Sequence, residues 1–315
     1  MFKYQFLTGI LTLSVLIASC QSQDSQQESA VESRVIADSL RSAFPYDLNN
    51  PVRSYDLPTA LVEVSGMTCS QDSSILMVQD EIGVVFRLDL LSGRVDRYIK
   101  FAGHGDFEGI TQQDSLIWVI RSDGKIHRFQ NTPTDDAEDD KWKLGLPPGG
   151  DYEALTRFPG QNKLLVVGKE PVTFQDQGTE YERLFISFPA NQPDSLSVEF
   201  VLDLRDVEAY LQVYASEEGT AALAERFAAR KKKSCKPSGM AFHPLTGHLY
   251  VIASVGKILC VIDQTGQVLH VRSLTKDLFP QPEGLCFGPD GTLYISHEGI
   301  QDKARVHTFP MVRTP

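Results

Sequence analysis

A short pattern returns five times along this chain of 315 residues. It reads VSGMTC at 64–69, DFEGIT at 106–111, DYEALT at 151–156, PSGMAF at 237–242 and PEGLCF at 282–287. Each copy sets Ser or Glu before Gly or Ala, with an apolar residue after. The small residues Gly66, Gly109, Ala154, Gly239 and Gly284 lie 43, 45, 85 and 45 positions apart. A period of about 44 residues is the length of one four-stranded propeller blade.

The strand pattern resolves the long step. Around each copy lie short runs rich in Val, Ile, Leu and Phe, bounded by turn residues. SILMVQD, VVFRLDL and RVDRYIKF complete blade one; KLLVVGK, RLFISF and VEFVLDL complete blade three. Blade two has a poor fourth strand near WKLGL. After blade three the alternation stops at VEAYLQVYASEEGTAALAERFAARKKK, where Leu223 and Phe227 stand at i, i+4. That is a helical pattern. The fold class is therefore all-β: a five-bladed β-propeller with a helical insertion between blades three and four. Six blades are the alternative, with one blade lacking the motif. Blade five ends one strand short, and residues 53–57 supply the strand that closes the ring.

The ends carry a separate message. Phe6 to Ile17 is an apolar run after Lys3, too short for an ordinary membrane span. Ile17-Ala18-Ser19-Cys20 follows it and resembles a bacterial lipobox, which makes Cys20 the lipidated first residue of the mature protein. The polar, aromatic-free stretch 21–33 cannot bury surface and reads as a tether. The chain divides into a lipoprotein signal peptide at 1–19, a lipidated flexible tether at 20–52 and the propeller domain at 53–315. Localisation follows: the envelope of a bacterium, at the outer membrane, held by a lipid anchor at Cys20.

The net charge of −11 argues against nucleic acid as a partner. Besides Cys20 there are four cysteines. An exported protein is free to form disulfides. Cys69, Cys260 and Cys286 sit inside apolar strand patterns, however, and read as buried free thiols. No zinc motif, nucleophile elbow, phosphate loop or dinucleotide fingerprint is present.

The order of the SGM, EGI, EAL, SGM and EGL starts, their spacing and the helical insert resemble the SdiA-regulated family over roughly residues 53–315. The resemblance implies a bacterial envelope protein with a five-bladed propeller distantly related to NHL-repeat propellers. It also implies a calcium site and brings no established activity. The poor fourth strand of blade two departs from the clean repeat.

Gly or Ala followed by an apolar residue is explained by close packing of inner strands around the axis. The residue before it is not. Ser65, Glu108, Glu153, Ser238 and Glu283 fall at equivalent points, so three carboxylates face a narrow channel. At ~6 Å and an effective dielectric of ~20, each like-charged pair costs roughly 2–3 kcal/mol. Water, protonation or a cation must offset that. A second ring is expected where strand two of each blade ends: Asp80 and Glu81, Asp123, Glu170, Ser254, and His297 with Glu298. Oxygen donors without paired cysteines suit calcium. Glu108, Glu153 and Glu283 are the candidate metal ligands. Glu81, Asp123, Glu170, His297 and Glu298 form the second tier.

Other features read as structure. Lys169 with Glu170 is a local ion pair, residues 230–233 a solvated basic helix end, and 135–141 an exposed acidic loop. The functional reading is an envelope propeller that binds an axial divalent cation and an unknown small-molecule or protein ligand. The alternative is a calcium-dependent hydrolase of esters, lactones or phosphoesters. A purely structural envelope protein needs no axial site.

Overall fold

The computed structural model describes residues 44–215, 220–230, 235–300 and 302–312. Cys20 and its lipobox, and the basic run from 231 to 233, lie outside them. The strands form five four-stranded antiparallel sheets. Blade one is β2 (Val64–Cys69), β3 (Ser74–Gln79), β4 (Ile82–Asp89) and β5 (Val95–His104). Blade two is β6 (Phe107–Gln113), β7 (Leu116–Arg121), β8 (Lys125–Gln130) and β9 (Asp140–Lys143). Blade three is β10 (Tyr152–Arg157), β11 (Lys163–Gly168), β12 (Glu182–Pro189) and β13 (Ser197–Asp203). Blade four is β14 (Lys236–Phe242), β15 (Leu249–Val255), β16 (Ile258–Ile262) and β17 (Val268–Ser273). Blade five is β18 (Pro282–Phe287), β19 (Leu293–His297) and β20 (Arg305–Phe309), closed by β1 (Arg53–Asp56) from the start of the domain.

The ring is therefore five-bladed, and six blades are excluded. β1 pairs antiparallel with β20, Arg53 opposite Thr308 and Asp56 opposite Arg305. Leu57 continues the ladder by donating its N–H to the Ala304 carbonyl at 2.9 Å. Asp56 fixes the register further, accepting from Lys303 Nζ and Arg305 Nε, both at 2.9 Å.

The long repeat step holds two helices, α1 (Leu204–Val213) and α2 (Thr220–Arg230). The Asp203 carboxylate caps α1, accepting from the Arg205 N–H at 2.8 Å. Leu204, Val207, Tyr210 and Leu211 of α1 are buried, as are Leu223 and Phe227 of α2. These six join one apolar cluster with the facing sheets of blades three and four. The i, i+4 pair seen in the sequence is the buried face of α2.

The acidic loop is exposed as expected at Asp135, Asp136, Glu138, Asp140 and Lys141, and Asp139 departs from that. The Asp139 side chain is only 7% exposed and bonds His127 Nδ1 at 2.6 Å and Lys141 Nζ at 3.0 Å. Thr134 and Ala137 bond the backbone of Tyr98 and Lys100. The loop thereby covers the outer edge of blade one, which would otherwise offer unpaired backbone groups.

Cys69 and Cys286 are bonded to each other, 217 residues apart in sequence. This corrects the reading of both as free thiols. They end the adjacent inner strands β2 and β18, which only closure of the ring brings together. Cys260 is buried and free as expected, and Cys235 is too.

The N-terminal segment is pinned ahead of the Arg53 boundary. Tyr46 and Leu48 are buried. Tyr46 Oη donates to the Gly291 carbonyl at 2.6 Å and lies 2.8 Å from His243 Nε2. His243 Nδ1 accepts from the N–H groups of Leu245 and Thr246, both at 3.2 Å. Nε2 therefore carries the proton and donates to Tyr46 Oη. Gly291 and His243 belong to turns at the far ends of β18 and β14, on the face opposite Glu283.

Candidate axial site

All five inner strands break register at the same place. The shifts fall between Val64 and Met67, Phe107 and Gly109, Tyr152 and Ala154, Pro237 and Gly239, and Pro282 and Leu285. Each is a β-bulge, and each contains the Ser or Glu of the repeat. A bulge re-aims the extra side chain and bends the strand. The following glycine permits the close approach this needs. A Cβ on Gly66 would run into the Glu108 carbonyl, and one on Gly239 into the Glu283 carbonyl. One on Gly284 would come to 2.8 Å of the Ser65 carbonyl.

Ser65, Glu153, Ser238 and Glu283 are buried, and Glu108 is half-buried. Below them the axis narrows to a cavity of ≈10 Å³ between Gly66, Gly109, Ala154, Gly239 and Gly284. That is room for about one water molecule. A ligand larger than an ion therefore has its place at the mouth, not in the channel.

Burial pushes the carboxyls of Glu108, Glu153 and Glu283 above the ordinary glutamate range. Glu153 and Asp106 add to the effect on Glu108, and Glu298 and Glu153 to that on Glu283. Burial and the neighbouring Asp80 raise Glu298 to about 7. Burial with Glu63, Glu81 and Asp106 raises Asp80 to about 6. The mouth thus carries more negative charge than it can keep ionised unaided.

The Lys169 ammonium stands among these groups. Lys169 Nζ lies 2.5 Å from Glu153 Oε1 and 3.9 Å from Asp151 Oδ2. It also favours the charged forms of Glu108, Glu283 and Glu298. Burial disfavours its own charge, but Glu153, Asp151 and Glu283 overcome that and raise its pKa.

The second ring is displaced by one residue from the sequence expectation in two blades. Ser122, Lys169 and Glu298 donate their backbone N–H to Asp106, Asp151 and Gln281, each two residues before its blade's motif glutamate. The equivalent residues of the other blades are Asp80 and Ser254. The tier is therefore Asp80, Ser122, Lys169, Ser254 and Glu298. Glu81 is exposed. Asp123 turns to Arg121 and Lys143, at 3.6 and 3.5 Å. Glu170 pairs with Lys236 of blade four. His297 is buried, bonds the Glu298 carbonyl through Nδ1 at 2.8 Å and stacks on His307 at 5.2 Å. The mouth thus gathers Glu108, Glu153, Glu283 and Glu298, and not Asp123, Glu170 or the His297 ring.

Lys169 was the residue to find, and neighbouring strand residues point to opposite faces. The backbone phase that Asp80 and Glu298 share with it was the available signal. The donors suit a hard cation in kind. As placed they do not close on one: among the described residues no three His, Cys, Asp or Glu side chains come together as a metal shell. Glu153 is held by Lys169 instead.

These features define a five-bladed propeller with an acidic axial mouth. Residues 203–299 match the family model described as SdiA-regulated, from the end of β13 through the helices and blade four to just past β19. That third of the chain is similar to the SdiA-regulated family, and the ring of five blades is the fold of the whole domain. No curated protein matches it. Among solved structures, the glutaminyl cyclase of Myxococcus xanthus is 12% identical over 84% of this chain and 97% of its own, with a TM-score of 0.49. A luciferin-regenerating enzyme is 10% identical over 83% and 95%, with a TM-score of 0.47. Virginiamycin B lyase from Staphylococcus aureus is 13% identical over 84% and 74%, with a TM-score of 0.42. Likeness at this level carries no argument about activity.

Proposed function

We propose that this protein is a lipid-anchored envelope module that recognises a cationic group at its acidic axial mouth, calcium being the first candidate. The observation that carries the reading is the charge imbalance there. Glu108, Glu153, Glu283 and Glu298 gather around Lys169, with Lys257 acting on Glu283 as well, and burial raises the pKa of all four. A cation arriving at such a place relieves repulsion the fold has already built in.

The Ile17-Ala18-Ser19-Cys20 pattern supports the anchor. Cys20→Ala should leave the precursor uncut or release the protein, as fractionation and mass spectrometry will show. A Cys20→Ala protein of processed size in the membrane fraction refutes the anchor.

The mouth is tested by thermal melting of chelator-treated protein. Calcium should raise the melting temperature, since a ligand of the folded state adds RT ln(1 + [L]/Kd), ~2.7 kcal/mol at a hundredfold excess over Kd. Glu108→Gln and Glu283→Gln should blunt the response, and Asp135→Asn, in the exposed part of the acidic loop, should not. Equal responses in all three variants would remove calcium from the mouth.

A further inference from the structure

We infer that Lys169 is the resident cation of the mouth, supplying from the chain the charge a bound metal would bring and thereby weakening the mouth's affinity for a divalent ion. The inference rests on the cationic reading of the mouth given above.

Three observations converge on it. First, position: the tier holds Asp80, Ser122, Lys169, Ser254 and Glu298, so Lys169 is its one basic member. Its backbone is held by an N–H bond to the Asp151 carbonyl at 2.7 Å, so the side chain starts from a fixed point. Second, contact: Nζ lies 2.5 Å from Glu153 Oε1, and Glu153 is only 3% exposed. A carboxylate so buried stays charged only with a partner, and the ammonium is that partner. Third, reach: the same ammonium acts on Glu108, Glu283 and Glu298. A compact charge with three donors on a flexible stem suits several carboxylates at once better than a planar guanidinium does.

Calcium needs the oxygens that Lys169 already engages. Its apparent affinity is then lowered by the fraction of molecules in which Glu153 is free. Removing the ammonium should tighten calcium binding, which distinguishes Lys169 from a residue that only supports the fold.

The experiment is calorimetric titration of calcium into chelator-treated full-length wild type, Lys169→Met and Lys169→Arg, with melting followed in parallel. Lys169→Met should bind calcium about tenfold or more tightly than wild type and melt lower than wild type before calcium is added. Lys169→Arg, which keeps the charge, should stay within about threefold of wild type. Should the Met variant fail to fold, Lys169→Gln carries the same test. If wild type binds calcium and the neutral variant binds no more tightly, the inference is overturned while the cationic mouth stands. If neither binds, both readings fall.

Discussion

Removing the Cys69–Cys286 bond should cost the folded ring about 5 kcal/mol. The bond joins residues 217 apart, from the inner strand of the first blade to that of the last. In the chain-entropy account, a cross-link over that distance removes about 18 cal/mol/K from the unfolded chain, or about 5 kcal/mol at 25 °C. A domain of this size gains or loses about 2–4 °C per kcal/mol. The Cys69→Ala/Cys286→Ala protein should therefore melt about 10–20 °C below the oxidised wild type. Reduced wild type should fall most of the way with it, which separates the lost bond from lost sulfur packing. A drop under about 1 kcal/mol would mean that β1 pairing with β20 closes the ring unaided.

Acid should loosen the N-terminal segment at His243. The ring is fully buried. Burial first, and His248 second, hold its pKa down at about 4 from an ordinary 6.5. A histidine with a depressed folded-state pKa contributes stability that is whole above 6.5 and is lost as pH falls toward 4. At 1.36 kcal/mol per unit, about 2–3 kcal/mol goes between pH 7.5 and 4.5. The structural cause is visible, because Nδ1 accepts two backbone N–H groups and has no place for a proton.

His307 is another buried histidine, set against the closing strand. Its Nδ1 lies 2.7 Å from Ser54 Oγ of β1, and burial and His297 hold its pKa at about 4. The mouth acts in the opposite sense. Glu298 and Asp80, raised to about 7 and 6, favour folding at low pH and lose that contribution as pH rises through those values. Unfolding free energies of wild type and His243→Gln, compared at both ends of the range, cancel the mouth. The advantage of wild type over the variant should shrink by about 2–3 kcal/mol on acidification. A constant difference would show that His243 titrates alike folded and unfolded.

The architecture was legible because it is periodic. Gly66, Gly109, Gly239 and Gly284 mark places where neighbouring backbones touch, and no other residue avoids the clash. The helical insertion showed itself through Leu223 and Phe227, and the closing strand through the missing edge of blade five. Three things were hidden, each for a physical reason. The Cys69–Cys286 bond joins residues whose nearness comes only from closure. The bulges at the mouth are backbone irregularities without a residue type of their own, and they decide which of two adjacent polar residues faces the axis. Lys169 was hidden for that reason: its neighbour Glu170 looked like the ring member but turns to Lys236. Within the exposed acidic loop only Asp139 departs, drawn in by His127 of the neighbouring strand.

The central claim is that the carboxylates of the bulged inner strands form a cation site at the mouth. Crystals of the protein soaked in terbium, a calcium mimic with a strong anomalous signal, test it most directly. The account predicts an anomalous peak on the axis, within coordination distance of Glu153 or Glu283, with Lys169 turned away from Glu153. Terbium confined to the exposed Asp135, Asp136 and Asp140, with the mouth unoccupied at saturating metal and Lys169 still on Glu153, would contradict it.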